Sequence, residues 1–198
     1  MPTTFPLKVE PMSDNFEIDI NLVRQLVDGK IDDDNSERLL KLPKKDIGRF
    51  LQYNQVLQER VKWTDRILIR LSDKLYVVSK TGGKRETQCE CGFSFGDYRE
   101  NWKLRSKIRT RKTLEQMAEV YSPSPAVPEP GWQEIREFFC PECATQHGVE
   151  VVAPGYPIVF EMLPDLDKFY RDYLGQPLPD ESEDWYQDRS AQVTGSWA

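Results

Sequence analysis

Four cysteines in two tight pairs constrain this chain more than any other feature. Cys89 and Cys91 stand one residue apart in "QCECGF", and Cys140 and Cys143 stand two apart in "FFCPECATQHG", with 48 residues between the pairs. A tetrahedral zinc ion takes four thiolates at about 2.3 Å, and two cysteines at one tight turn grip it from one side. Gly92 lets the first turn close without Cβ interference, and Pro141 stiffens the second. Each pair is flanked by strand-like sequence. The spacing therefore predicts a zinc ribbon, in which two knuckles at hairpin ends close on one structural zinc ion held by Cys89, Cys91, Cys140 and Cys143. The alternatives are a redox dithiol, two disulfides, or clustered buried thiols. A Cys89–Cys91 disulfide would be strained, and a thioredoxin-like motif needs a βαβ context that the flanks lack. Four thiolates also fill the shell, whereas a catalytic zinc keeps a position open for water. His147, the only histidine, reads as a neighbour of the site or a surface residue rather than a ligand.

The remaining chemistry is sparse. "TGGK" at 81–84 has the spacing of neither nucleotide loop, no carboxylate pair stands out as catalytic, and no catalytic residue is assigned. Net charge is −6, which speaks against a free-standing nucleic-acid binder. Aromatics at 11% argue for a packed core. No apolar run suggests a secretory signal or a membrane span. The expected setting is the cytoplasm, where thiols stay reduced.

Periodicity gives an α+β chain with five parts. Residues 1–18 read as a flexible arm with three prolines. Residues 19–62 read as a helical block. Its first helix carries Ile20, Val23, Leu26 and Val27 on one face and stops at Gly29. A second is capped by Asn35 or Ser36 and ends at Pro43. A third, capped by Asp46, buries Ile47, Phe50, Leu51, Leu57 and Val61. Residues 63–163 read as an antiparallel zinc-ribbon β domain. A hairpin in "DRILIRLSDKLYVVSK" turns at Ser72-Asp73, and strands follow in "KRETQ", "NWKLRSKIRTRK", "WQEIREFFC" and "HGVEVVA". A short helix starts at Thr113, and a Pro-rich linker occupies 122–131. Residues 164–175 read as a docking helix with Leu166, Phe169, Tyr170 and Tyr173 on one face. Residues 176–198 read as an acidic, unpatterned tail.

Lys103, Arg105, Lys107, Arg109 and Arg111 alternate, so on a strand they would share one face. That face is either a contact for phosphate or an acidic partner or a solvent face that discourages edge pairing. Trp63, Trp102 and Trp132 read as core residues or, failing that, interface anchors.

Several stretches resemble the gamma (small) subunit family of the acetone carboxylases: "LVDGKID" (26–32), "VLQERVKWTDRI" (56–67), "CECGFSFGDYRENWKL" (89–104), "WQEIREFFCPECATQHGVEV" (132–151) and "YPIVFEMLPDLDKFYRDYLGQPLP" (156–179). The resemblance implies a subunit of a biotin-independent ligase. Such enzymes use ATP to join a ketone to bicarbonate and give a β-keto acid, such as acetoacetate. It also implies that large hydantoinase-like subunits carry ATP, magnesium and any catalytic metal, and that this chain contributes a zinc-bearing structural part in a hetero-oligomer. The family metal ligands fall on Cys89, Cys91, Cys140 and Cys143. The ends, 1–18 and 180–198, are longer than the family pattern, which leaves an acetophenone carboxylase as an alternative to an acetone enzyme. Tyr156, Phe169 and Tyr173 are the aromatic candidates for partner contact, and Lys103, Arg105, Lys107 and Arg109 the basic ones. The competing functions are a zinc-ribbon adaptor binding nucleic acid or an acidic partner through 103–111, and a thiol-redox protein.

Overall fold

The computed structural model describes residues 19–41, 47–121 and 127–197, so the arm, Pro43, Asp46 and linker residues 122–126 lie outside the described residues. The chain divides into two compact units, residues 1–53 and 54–198. This division falls inside the third helix, whereas the sequence reading placed a boundary at 62/63.

In the first unit, α1 (Ile20–Val27) is capped by the Asp19 carboxylate, which accepts the Asn21 amide, and it buries Val23. Gly29 takes φ +65, the left-handed geometry that ends a helix. The next helix, α2 (Asp33–Lys41), starts earlier than expected. The Asp32 carboxylate accepts the Asn35 amide at 2.9 Å, so Asp32 rather than Asn35 or Ser36 supplies the cap. In α3 (Ile47–Gln58), Val56 and Leu57 are buried, while Phe50 and Leu51 are half-buried.

The second unit holds two antiparallel meanders. The first sheet runs β1 (Arg66–Ser72), β2 (Leu75–Ser79), β3 (Arg85–Cys89), β4 (Ser94–Asp97), in that order. β1 and β2 form the expected hairpin. Its two-residue turn is Asp73-Lys74 rather than Ser72-Asp73, because Ser72 pairs with Leu75 and Lys74 takes φ +57. The second sheet runs β5 (Lys107–Arg111), β6 (Glu134–Phe139), β7 (Gln146–Val152). Between β5 and β6, α4 (Leu114–Ala118) starts on a capping box of Thr113 and Gln116 and buries Met117.

The single strand expected over 101–112 is corrected. Trp102–Arg105 is a 3-10 turn capped by Asn101, and only Lys107–Arg111 is strand. The docking helix is corrected too. After α5 (Leu166–Lys168) the chain widens to a π turn, Phe169–Tyr173. The wider turn breaks the 3.6-residue phase. Leu166 and Tyr170 are buried, Phe169 is half-buried, and Tyr173 is exposed. The Tyr170 hydroxyl donates to the Leu68 carbonyl at 2.7 Å.

The tail is not unpatterned. Arg85 on β3 donates to Asp167 and to Asp180. Arg99 donates to Asp184 at 2.9 Å, and the Arg189 amide donates to the Arg99 carbonyl at 2.8 Å. A last helix, α6 (Ser190–Thr194), buries Val193. The acidic residues thus answer arginines of the first sheet and its flank.

Candidate metal centre

Each cysteine pair sits where one strand turns into the next. β3 ends at Cys89 and β4 begins at Ser94. The Cys89 amide donates to the Phe93 carbonyl at 2.9 Å and the Gly92 amide to the Cys89 carbonyl at 2.8 Å. This turn needs φ +101 at Gly92. A Cβ there would be strained and would meet the Trp63 ring at 3.4 Å. Trp63 braces the turn by donating its Nε1–H to the Glu90 carbonyl at 2.9 Å. Replacing Gly92 by alanine should therefore lower stability by about 1–2 kcal/mol. A thermal melt beside wild type checks this, and an unchanged midpoint would contradict it.

The second pair bridges β6 and β7. The Cys140 amide donates to the Thr145 carbonyl at 2.9 Å and the Ala144 amide to the Cys140 carbonyl at 3.0 Å. Ala144 takes φ +58. Cys89 and Cys140 are buried, and Cys91 and Cys143 reach the surface. The two buried sulfurs join Leu75 and Phe95 in one core cluster, with Leu71, Phe93 and Trp102 packed against it.

The four sulfurs all lie within 4.8 Å of one another. Cys89 Sγ is 3.6 Å from Cys143 Sγ, and Cys91 Sγ is 3.7 Å from Cys140 Sγ. A tetrahedron with bonds of about 2.3 Å puts its corners about 3.8 Å apart. The spacing fits a zinc shell of four cysteines, and each close contact pairs a sulfur of one turn with a sulfur of the other.

The thiols do not share one environment. Burial pushes Cys89 up strongly and raises Cys91. Burial also works against Cys143, but hydrogen bonds from the Thr145 hydroxyl and amide, together with the Cys91 and Cys89 thiols, hold Cys143 down to about 6. Metal binding needs thiolates and so expels the protons they carried. Zinc loading at pH 7 should therefore release at least two protons, those of Cys89 and Cys91. Calorimetry in buffers of different ionisation enthalpy measures the number, and a release below two would contradict the environments described.

His147 is buried and is not one of the four donors. Its Nδ1 lies 3.1 Å from the Asp73 carbonyl, and its ring meets Phe95 and Trp102 edge-on. Burial lowers its pKa. The ring packs the space between the two sheets. Trp63 and Trp102 are half-buried, but Trp132 is exposed.

The basic residues do not form one face. Lys103 is buried and bound to Glu150 and Glu161. Arg105 pairs with Glu100 at 2.8 Å and Arg109 with Glu119 at 2.6 Å. Arg111 is buried between Glu137 and Glu119. Lys107 is exposed. Sequence reasoning missed these pairings. Glu137 of β6, the partner of Arg111, and Glu150 of β7, the partner of Lys103, were the available signal.

A groove of about 540 Å³ lies between the first sheet and the tail, lined by Arg85, Arg99, Arg189, Asp97, Asp180 and Asp184 among others. Those six pair with one another, so the arginines are already neutralised.

The family model described as "Acetone carboxylase gamma subunit" matches residues 61–174, a span that holds both sheets and all four cysteines. The chain belongs to the acetone carboxylase gamma subunit family. It is 45% identical over 159 residues to the acetone carboxylase gamma subunit of Xanthobacter autotrophicus, covering 80% of this chain and 94% of that relative. It is 26% identical over 112 residues to the acetophenone carboxylase beta subunit of Aromatoleum aromaticum, covering 56% of this chain and 79% of that one.

Proposed function

We propose that this gamma-family chain is the zinc-bearing, non-catalytic small subunit of an ATP-dependent, biotin-independent ketone carboxylase. In that assembly large hydantoinase-like subunits bind ATP and magnesium and carry the reaction of ketone with bicarbonate. The observation that carries the reading is the four-sulfur cluster with tetrahedral spacing inside the family-matched span. A closed thiolate shell gives a metal no water to activate. Zinc there supplies folding energy by tying the β3–β4 turn to the β6–β7 turn, in a ribbon-like clamp. The chain's own residues set that clamp. Gly92 and Ala144 shape the turns, the Thr145 hydroxyl stabilises the Cys143 thiolate, and Trp63 holds the first turn.

Acetone is the favoured substrate, because the acetone relative is more alike over more of the chain than the acetophenone one. A cytoplasmic setting suits four free, metal-binding thiols. Among the described residues no helix is long and apolar enough to cross a membrane. The nucleic-acid adaptor loses its support where Lys103 is buried and Arg105, Arg109 and Arg111 are paired.

Tyr156 and Tyr173 are exposed, and Phe169 stacks on Tyr173 at 5.3 Å. They remain the aromatic candidates for partner contact. The test is to purify the chain with the large subunits and assay ATP turnover with bicarbonate and either acetone or acetophenone. Turnover faster with acetone, and none by the isolated chain, is expected. Turnover by the chain alone would refute the non-catalytic role.

A further inference from the structure

Four cysteines can pair as disulfides in three ways, and the fold discriminates among them. One way pairs each turn with itself, Cys89 with Cys91 and Cys140 with Cys143. A single residue separates Cys89 from Cys91, which strains that bond. Another pairs Cys89 with Cys140 and Cys91 with Cys143. Cys89 and Cys140 are both fully buried in the cluster with Leu75 and Phe95, so an oxidant in water reaches neither sulfur of the first bond. The remaining way pairs Cys89 with Cys143 and Cys91 with Cys140. These are the close contacts, with 3.6 and 3.7 Å between sulfurs. Each sets one exposed sulfur against one buried sulfur. The exposed member meets the oxidant, and the buried member lies beside it to attack next.

The crossed pairing also has a consequence for the fold. Both of its bonds run from the β3–β4 turn to the β6–β7 turn, which is the tie that zinc supplies. Bonds within a turn would leave the two turns untied. Each turn keeps its shape through backbone bonds that need no metal, Cys89 amide to Phe93 carbonyl and Cys140 amide to Thr145 carbonyl. The chain has no fifth cysteine to divert the pairing.

We propose that the metal centre is also a reversible site of oxidation by hydrogen peroxide, at which Cys143 pairs with Cys89 and Cys91 with Cys140. The Cys143 sulfur attacks one peroxide oxygen, the O–O bond breaks, and hydroxide leaves and is protonated to water. The Cys89 sulfur then attacks the Cys143 sulfenic acid. The S–S bond forms, the S–O bond breaks, and the hydroxyl leaves as water. Cys91 and Cys140 repeat the sequence with a second peroxide. Together the four sulfurs lose four electrons, two peroxides gain them, and four waters form. Sulfurs in disulfides carry no charge, so the donors no longer hold the ion. A small dithiol reverses the bonds by exchange. The inference rests on the zinc-binding part of the reading above and adds what becomes of the clamp when the metal is lost: disulfides take its place.

The test titrates the whole zinc-loaded chain with hydrogen peroxide. A chromogenic indicator reads zinc release, peptide mapping without reductant reads the bonds, and circular dichroism reads the fold. Zinc should fall to background, Cys89–Cys143 and Cys91–Cys140 links should dominate the map, and the β signal should persist. The intact, metal-free chain should be lighter by four hydrogens, one from each thiol. Dithiothreitol with added zinc should restore the starting zinc content. Removing zinc with a chelator under reductant should instead collapse the β signal, because neither metal nor disulfide then ties the turns. A Cys140–Cys143 bond as the main product would overturn the inference while leaving zinc binding intact. So would sulfinic or sulfonic acid at Cys91 or Cys143 in place of disulfides, or loss of the β signal on oxidation. A chelator-stripped, reduced chain that keeps its β signal would overturn it too, since the turns would need no tie. A wild-type chain that binds no zinc would overturn both readings.

Discussion

Cys140→Ser should abolish zinc binding and unfold the second unit. Cys140 is buried, lies 3.7 Å from Cys91 Sγ, and shares a core cluster with Leu75, Cys89 and Phe95. A serine hydroxyl stays protonated and is a poor zinc ligand, so three sulfurs remain on a shell built for four. Structural zinc supplies on the order of 10 kcal/mol of folding free energy in small domains, which matches or exceeds the net stability of an ordinary domain. The β signal in circular dichroism should collapse, zinc should fall to background, and helical signal from the first unit should persist. A folded, zinc-free Cys140→Ser protein would show that packing of the two sheets, not the metal, holds the unit together.

Arg85→Met should be the most damaging single change away from the metal. The Arg85 side chain is only 5% exposed. Its guanidinium joins three chain segments: β3, Asp167 at the start of the C-terminal helix, and Asp180 of the tail. Asp167 is equally buried and also accepts the Ser182 amide at 3.1 Å. Removing the arginine leaves the Asp167 carboxylate without its cation, and breaking such a buried pair costs about 3–5 kcal/mol. For a chain of this size that is a fall of roughly 10 °C in melting midpoint. The tail beyond Asp180 should become sensitive to protease while zinc is retained. Adding Asp167→Asn should recover part of the loss, because the stranded charge is then gone. A midpoint within about 2 °C of wild type would contradict the clasp.

What was legible in the sequence follows from how local each signal is. The β1–β2 hairpin was readable because its alternation and its turn lie within one short stretch. The cysteine cluster was readable because the donor chemistry is specific and each pair is held by its own turn. Lys103 was misread because alternation in "KLRSKIRTRK" looks like one strand. The Asn101 cap instead starts a 3-10 turn, and the burial of Lys103 depends on Glu150 of β7, 47 residues away. The tail looked unpatterned because the partner of Asp180 is Arg85, 95 residues earlier. Nothing nearby shows that its acid is answered. The exposure of Tyr173 hinges on a π turn, which a 3.6-residue wheel cannot represent. The edge character of β7 depends on sheet order, which no single strand's sequence carries.

Closure of four thiolates on one zinc ion is the central claim. X-ray absorption at the zinc edge, on chain purified without chelator, tests it directly. The expected result is one zinc per chain with four sulfur neighbours at about 2.3 Å and no oxygen or nitrogen neighbour. Substoichiometric zinc, or a shell containing an oxygen or nitrogen donor, would contradict it.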